Sequence, residues 1–188
     1  MTRGALLLAF VAVLTTGCSS LEGTGDKGYI SQDGSVTQIP AAERDKPIDV
    51  TGDDLDGNEI SLADHRGRIV VVNVWGSWCV PCSAEQPDLV EAAQKTSSIA
   101  DYIGINIRDA SVDNTRSFVR SFDVPYPSIY DPNSKALLSF SEVMSVRSPP
   151  TTFVLDEDGR IAAAIFGELP SVGTLVDLVE DLESETSG

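Results

Sequence analysis

The sequence has few of the residues that bind metal ions or nucleic acids. It contains three cysteines and one histidine in 188 residues. A structural zinc site takes four ligands, usually two cysteine pairs or cysteines with histidines, so we expect no metal site and no bound cofactor. Basic residues are also scarce, with 13 Lys and Arg against 29 Asp and Glu and a net charge of −16. Because a nucleic-acid partner requires a basic face, this balance argues against one.

The N-terminal hydrophobic run is too short to cross a bilayer. Residues 5–14 are all apolar, and Arg3 precedes them. A membrane-spanning helix needs about 20 such residues, whereas this run has the length of a signal-peptide core. It leads into a small-residue site that ends in Cys18 and resembles the lipobox of bacterial lipoproteins. We therefore predict a lipoprotein signal peptide at residues 1–17 with lipid on Cys18, the alternatives being an ordinary cleaved signal or an uncleaved anchor.

The other two cysteines form a Cys-Val-Pro-Cys motif at residues 79–82. It follows an apolar run at residues 69–74 that predicts a buried strand, and it precedes a helical pattern from residue 83 to about residue 95. A Cys-x-x-Cys at a strand-to-helix junction is typical of a redox dithiol, and a structural disulfide across so short a loop would stabilise little. The partial positive charge at a helix start stabilises a thiolate on Cys79. The sequence thus predicts thiol–disulfide exchange.

The remaining pattern predicts an α/β fold. Residues 18–46 are rich in Gly, Ser, Asp and Thr and predict a flexible tether, in which residues 29–30 and 36–39 could pair loosely. Residues 47–188 predict one domain. Its elements follow the order β-α-β, then an inserted helical region, then β-β-α, which indicates a mixed sheet flanked by helices. The predicted elements after the motif are a strand at 99–107, a helix capped by Asp113 or Ser111, a helix starting at Asp131 and Pro132, a hairpin at about 151–166 and a helix capped by Ser171.

Several of these features together resemble the TlpA/ResA-like branch of the thioredoxin-fold proteins. They include Trp-Cys-Val-Pro-Cys at 78–82, Pro87, the segment 72–75, and the segment 150–156 that begins with Pro-Thr. The resemblance covers about residues 47–183. It implies a thioredoxin-like sandwich with an N-terminal β-hairpin and a helical insertion.

The resemblance also implies roles for individual residues. Cys79 corresponds to the nucleophile and Cys82 to the resolving thiol, which together form the redox-active disulfide. Pro150 falls at the family's cis-proline, beside the dithiol, although the preceding Pro149 lacks the amide hydrogen that could pair with a bound peptide. Trp78 and Pro81 complete the expected site.

Two further positions bear on proton transfer and on the direction of electron flow. Asn73 stands where many thioredoxins have a buried carboxylate, and Glu85 falls at an acidic position that some ResA-like proteins use near the dithiol. Glu85 could equally be a solvated helix residue. A carboxylate near the dithiol opposes thiolate formation, and the residues between the cysteines add no positive charge, so a reductase is favoured over an oxidase.

Members of this branch are exported, membrane-tethered enzymes, and many reduce apocytochrome c during cytochrome c maturation. We therefore expect an extracytoplasmic, lipid-anchored reductase of exported cysteine-containing proteins such as apocytochrome c. A membrane thiol reductant of the CcdA or DsbD type would regenerate it. The alternatives are an exported dithiol oxidase and a copper-binding chaperone. A copper chaperone of the Sco type would have Cys-x-x-x-Cys and a distant histidine after it, whereas His65 precedes this motif.

Overall fold

The computed structural model describes residues 35–145 and 148–186, and within them an α/β sandwich. The strands are β1 Val36–Gln38, β2 Thr51–Asp53, β3 Glu59–Ser61, β4 Ile69–Trp75, β5 Ala100–Ile107, β6 Ser128–Asp131, β7 Thr151–Leu155 and β8 Ile161–Phe166. The helices are α1 Val80–Lys95, α2 Val112–Ser121, α3 Leu137–Ser141 and α4 Val172–Thr186. The main sheet has the order β1-β8-β7-β4-β5-β6, and β2 and β3 form a separate hairpin. The predicted thioredoxin-like fold is confirmed.

The strand β4 is central to the sheet. It pairs parallel with β5 and antiparallel with β7, and all seven of its residues are buried. Successive side chains of a strand point to opposite faces. Accordingly Val71 packs in a core with Leu89 of α1 and Leu175 of α4, and Val72 packs in a second core with Phe140 of α3. The predicted strand covered on both faces is confirmed, and its carboxyl end carries the cysteine motif.

The domain begins earlier in the chain than predicted. The strand β1 pairs antiparallel with β8 at the edge of the sheet. The Arg44 side chain, 4% exposed, forms an ion pair with Asp156 at 3.3 Å. The predicted tether at residues 18–46 is therefore too long. The segment for which loose pairing was expected forms a strand of the main sheet, and the contact of Arg44 with a distant residue leaves no mark on local composition. The predicted signal peptide and Cys18 lie outside the described residues.

The inserted region differs from its prediction in one helix. Asp131 ends β6, where it is paired in register with Ile107, and its carboxylate accepts a hydrogen bond from the Ala136 amide at 2.7 Å. The predicted helix start at Asp131 and Pro132 is wrong, because pairing with β5 keeps Asp131 in the strand, and α3 begins only at Leu137. Within residues 35–145 and 148–186, no helix has the length and apolar character needed to cross a membrane.

The predicted helix caps and turns are confirmed. The Ser111 hydroxyl accepts a hydrogen bond from the Asn114 amide at 3.4 Å, and that of Ser171 from the Thr174 amide at 3.1 Å. These bonds satisfy amides that have no partner within the helix. Gly159 has φ of 80° in the turn between β7 and β8, a conformation that favours glycine.

Candidate active site

The two cysteines lie where the chain passes from β4 into α1. They form a disulfide with 5.2 Å between the Cα atoms. Cys79 is the N-cap of α1, which begins at Val80 rather than at the predicted residue 83. The Cys82 amide donates a hydrogen bond to Cys79 Sγ at 3.2 Å, and Pro81 lies in the first turn, where no amide hydrogen is required. The start of the helix therefore points its positive end at the sulfur of Cys79.

An exposed apolar surface surrounds this sulfur. Trp78 is 49% exposed and Val80 is 80% exposed, whereas Cys79 is 4% and Cys82 1% exposed. Large exposed apolar side chains commonly mark contact surfaces. The two residues that flank Cys79 in the chain therefore offer apolar contacts to a partner.

Two contacts and a neighbouring glycine hold the indole ring of Trp78 in place. Its Nε1 donates a hydrogen bond to the Ile107 carbonyl oxygen at 3.2 Å. The guanidinium carbon of Arg108 lies 5.5 Å from the centre of the ring, a distance that favours a cation–π contact. A Cβ at Gly76 would lie 2.6 Å from Trp78 Nε1, so only glycine permits this placement of the ring.

A buried carboxylate, Asp109, holds the turn that precedes the cysteines. Asp109 is 4% exposed and accepts hydrogen bonds from the Ser77 amide at 2.9 Å and from the Ser77 hydroxyl. It also accepts from the Asn106 side chain, which in turn accepts from the Thr115 hydroxyl of α2 at 3.0 Å. The sequence pattern did not predict this cluster. The available signal was that Asp109 is the second residue after β5, at the end of the sheet where the motif follows β4.

A second buried carboxylate, Glu85, lies on α1 behind the cysteines. It is 2% exposed and accepts hydrogen bonds from Asn73 Nδ2 at 2.9 Å and from the Leu169 amide at 2.8 Å. Burial raises the pKa of Glu85 to about 7. The two hydrogen bonds oppose this increase in pKa, and the negative charges of Glu168 and Asp88 add to it. Glu85 is therefore a buried acid whose proton equilibrium lies close to neutral pH.

Asn73 connects this acid to the sheet. Besides the bond to Glu85, its Nδ2 donates to the Thr152 hydroxyl at 3.0 Å, and Thr152 is the residue opposite Asn73 in the register of β4 and β7. Where many thioredoxins have a carboxylate on this strand, Asn73 supplies an amide that donates a hydrogen bond to the carboxylate of Glu85 on α1. Glu85 and Cys82 are three residues apart on α1 and both are buried, so they share one face of the helix.

Pro150 lies at the same edge of the sheet as the dithiol. The next residue, Thr151, is opposite Val74 in the register of β4 and β7. Pro150 is buried, the Pro149–Pro150 peptide bond is cis, and the Pro150 carbonyl oxygen accepts a hydrogen bond from the Gly167 amide at 3.0 Å. The cis bond is at the position that the family resemblance implied.

The described part of the chain contains no group of three or more His, Cys, Asp and Glu side chains suited to hold a metal ion. The single histidine, His65, forms a hydrogen bond through Nδ1 with Asp101 at 2.8 Å, and Arg68 binds the same carboxylate at 2.9 Å.

Comparison with known protein families matches residues 37–182, well over half of the chain, to Redoxin. The chain belongs to the Redoxin family. This Redoxin chain is 31% identical over 134 residues to the thiol-disulfide oxidoreductase ResA of Geobacillus thermodenitrificans, covering 70% of the chain and 71% of the relative. It is 34% identical over 119 residues to ResA of Bacillus cereus, covering 61% of the chain and 64% of that relative, slightly less than two thirds of its length.

Solved structures agree with this assignment. A DsbF homologue from Corynebacterium diphtheriae is 34% identical, with a TM-score of 0.73 over 84% of this chain and 100% of that one. A secreted thiol-disulfide isomerase from Corynebacterium glutamicum is 32% identical, with a TM-score of 0.74 over 84% and 99%. This Redoxin chain is therefore a ResA-like thiol–disulfide oxidoreductase with a Cys79–Cys82 disulfide.

Proposed function

We propose that the protein reduces disulfides of exported proteins, with Cys79 as the attacking thiolate and Cys82 as the resolving thiol. The observation that carries this proposal is the position of Cys79 at the start of α1, where the Cys82 amide points at its sulfur at 3.2 Å. Once the pair is reduced, the same amide and the helix dipole stabilise a thiolate on Cys79. Cys79 is also the more exposed of the two cysteines.

The exchange follows from these positions in two steps. The Cys79 thiolate attacks one sulfur of the substrate disulfide, forms a mixed disulfide and releases the other substrate sulfur as a thiolate. Cys82 then loses its proton and attacks Cys79, which releases the second substrate thiol and forms the Cys79–Cys82 disulfide. The substrate gains two electrons and the enzyme loses two. Glu85, buried on the same face of α1 as Cys82, is the acid–base group closest in sequence to this step.

The direction of electron flow is argued from charge. An ionised Glu85 in a buried position disfavours a neighbouring thiolate, and a less stable reduced form is the better electron donor. The residues between the cysteines, Val80 and Pro81, add no compensating positive charge. These features favour a reductase over an oxidase, with the exposed Trp78 on the surface that a substrate contacts.

The cellular role is proposed from the N-terminal sequence and from the family resemblance. A signal peptide at residues 1–17 would export the protein, and lipid on Cys18 would attach it to the outer face of the cell membrane. The relative from Corynebacterium glutamicum is described as secreted. Exported proteins with cysteines, such as apocytochrome c during cytochrome c maturation, are the proposed substrates. A membrane thiol reductant of the CcdA or DsbD type would keep the dithiol reduced.

Trapping experiments test the roles of the two cysteines. Reduced Cys82→Ser protein mixed with a disulfide-bonded peptide should accumulate a mixed disulfide at Cys79, detected by mass spectrometry, because the resolving thiol is missing. Cys79→Ser should form none. Cys18→Ala is the matched control, since it removes the third cysteine and should leave exchange intact. Faster alkylation of Cys82 than of Cys79 at neutral pH would reverse the assignment.

Redox equilibration tests the direction. Incubation with dithiothreitol or glutathione buffers should give a midpoint potential closer to the value of about −270 mV of thioredoxin than to the value of about −120 mV of the oxidant DsbA. A potential near that of the strong oxidant would overturn the reductase proposal and leave the thiol–disulfide exchange itself intact.

A further inference from the structure

An arginine stands beside the dithiol in a strongly acidic protein. Arg108 follows the last residue of β5 and is exposed, with its guanidinium over the ring of Trp78. Within the described residues it takes part in no ion pair, whereas most other arginines do. Those paired with acidic side chains are Arg44, Arg66, Arg68, Arg116 and Arg160. The positive charge of Arg108 is therefore available to a partner that contacts Trp78.

Negative charge lies on the other side of the dithiol. Glu168 is exposed in the loop after β8, and the backbone amides of the residues on either side of it form hydrogen bonds to residues of the site. The amide before Glu168 donates to the Pro150 carbonyl oxygen at 3.0 Å, and the amide after it donates to Glu85 at 2.8 Å. Asp88 on α1 adds a second acidic group on this side, and the charges of Glu168 and Asp88 both act on Glu85.

The sheet order places these charges along one edge. In the strand order β8-β7-β4-β5, the strand ends nearest the dithiol lead to Glu168, Pro150, Cys79 and Arg108, in that order. Neighbouring strands are about 5 Å apart, so Arg108 is about one strand and Glu168 about two strands from Cys79. At this spacing Arg108 lies within the Debye length of about 8 Å at physiological salt, and Glu168 lies slightly beyond it. A chain that brings a disulfide to Cys79 covers this edge on both sides and meets both charges.

We propose that this edge selects disulfide-bearing polypeptides with an acidic residue on the β5 side of the reacting cysteine and a basic residue on the β8 side. In that orientation both substrate charges face an opposite charge, and in the reverse orientation both face a like charge. The net charge of −16 attracts any basic partner regardless of its sequence, whereas Arg108 makes the preference depend on position. The inference rests on the proposed attack by Cys79.

Three peptides test it. Each has one cysteine as a mixed disulfide with β-mercaptoethanol. One has an acidic residue before the cysteine and a basic residue after it, the second has the same residues exchanged, and the third is neutral. The first two have the same composition and net charge, so the overall charge of the protein cannot separate them. The reduced full-length protein should prefer one isomer by roughly two- to fivefold in kcat/KM, and high salt should remove the difference.

Charge reversal assigns the preference to the two residues. Arg108→Glu and Glu168→Lys should each weaken the preference, and the double variant should invert it. Each rate is expressed relative to the rate at which the same variant reduces the neutral peptide, so that a general effect on Trp78 or Glu85 cancels. The matched controls are Lys95→Glu at the end of α1 and Asp158→Lys in the β7–β8 turn, which make the same charge changes at the opposite end of the sheet and should leave the preference unchanged.

The outcomes separate a failure of the charge selection from a failure of the proposed function. Equal rates for the two charged isomers, or a preference that the double variant keeps, would overturn the charge selection. Failure of the wild-type protein to reduce even the neutral peptide would count against the proposed function instead.

Discussion

Replacing Glu85 with glutamine should remove a large part of the pH dependence of stability of the oxidised protein. The carboxyl group is 2% exposed, and burial raises its pKa from 4.5 to about 7. Between these values the folded protein keeps a proton that the unfolded chain has released. The free energy of unfolding therefore falls as the pH rises through this range, and above about pH 7 the full penalty of burying the charge is present.

The magnitude follows from the two pKa values. The difference between 4.5 and about 7 corresponds to about 3 kcal/mol, at about 1.4 kcal/mol per pKa unit. Glutamine resembles the protonated acid and does not titrate. From about pH 4.5 to about pH 8, the difference in unfolding free energy between the two proteins should therefore shift by about 3 kcal/mol in favour of Glu85→Gln. This shift is independent of any constant loss from a changed hydrogen bond to Asn73 or Leu169.

Denaturant unfolding of the full-length oxidised protein across this pH range measures the effect. The Cys79–Cys82 disulfide stays intact, so neither active-site thiol titrates in the folded or the unfolded state. Glu91→Gln is the matched control, because Glu91 lies on the same helix with its side chain 53% exposed. Parallel stability curves for the wild type and Glu85→Gln would refute the argument that burial shifts this group.

Four further results are expected. Glu85→Gln should raise the midpoint potential at about pH 8 by about 30 mV in a dithiothreitol titration, because the thiolate is no longer repelled, and an unchanged potential would remove Glu85 from the redox argument. Ser77→Ala should lower the unfolding free energy by about 2 kcal/mol, since a buried carboxylate loses a donor. Gly104→Ala should cost about 1–3 kcal/mol in the same assay, because its Cβ would lie 2.7 Å from Trp75 Nε1. Cys18→Ala should move the protein out of the membrane fraction, and an unmodified mature N-terminus elsewhere would contradict this.

The parts of the fold that the sequence predicted are those coded locally. The apolar run of β4 and the cysteine motif after it are contiguous in the chain, and Ser111 and Ser171 cap helices that begin at the next residue. Each of these signals depends on neighbours within one or two helical turns. Local interactions of this kind leave a pattern that a single sequence displays.

The predictions that proved wrong concern segments whose state is set by distant strands. The strand β1 is three residues long, and its pairing with β8 joins positions more than a hundred residues apart. Asp131 precedes a proline, which suggested the start of a helix, but pairing with β5 holds it in β6. In both cases backbone pairing overrides the local preference, and the partner strand cannot be identified from composition.

The polar contacts of the active site show the same limit. The position of Glu85 three residues after Cys82 was enough to place the two on one face of α1, but the partners of Glu85 are 12 and 84 residues away in the chain. The asparagine at position 73 had suggested only that an acid was missing from β4. In the structure the buried acid lies on α1 instead of β4, and it accepts a hydrogen bond from Asn73. An aspartate at position 73 would bring two buried carboxylates together, and like charges at such a distance cannot both ionise readily. Asn73 and Glu85 therefore form one unit, in which the amide permits a single buried acid behind the dithiol.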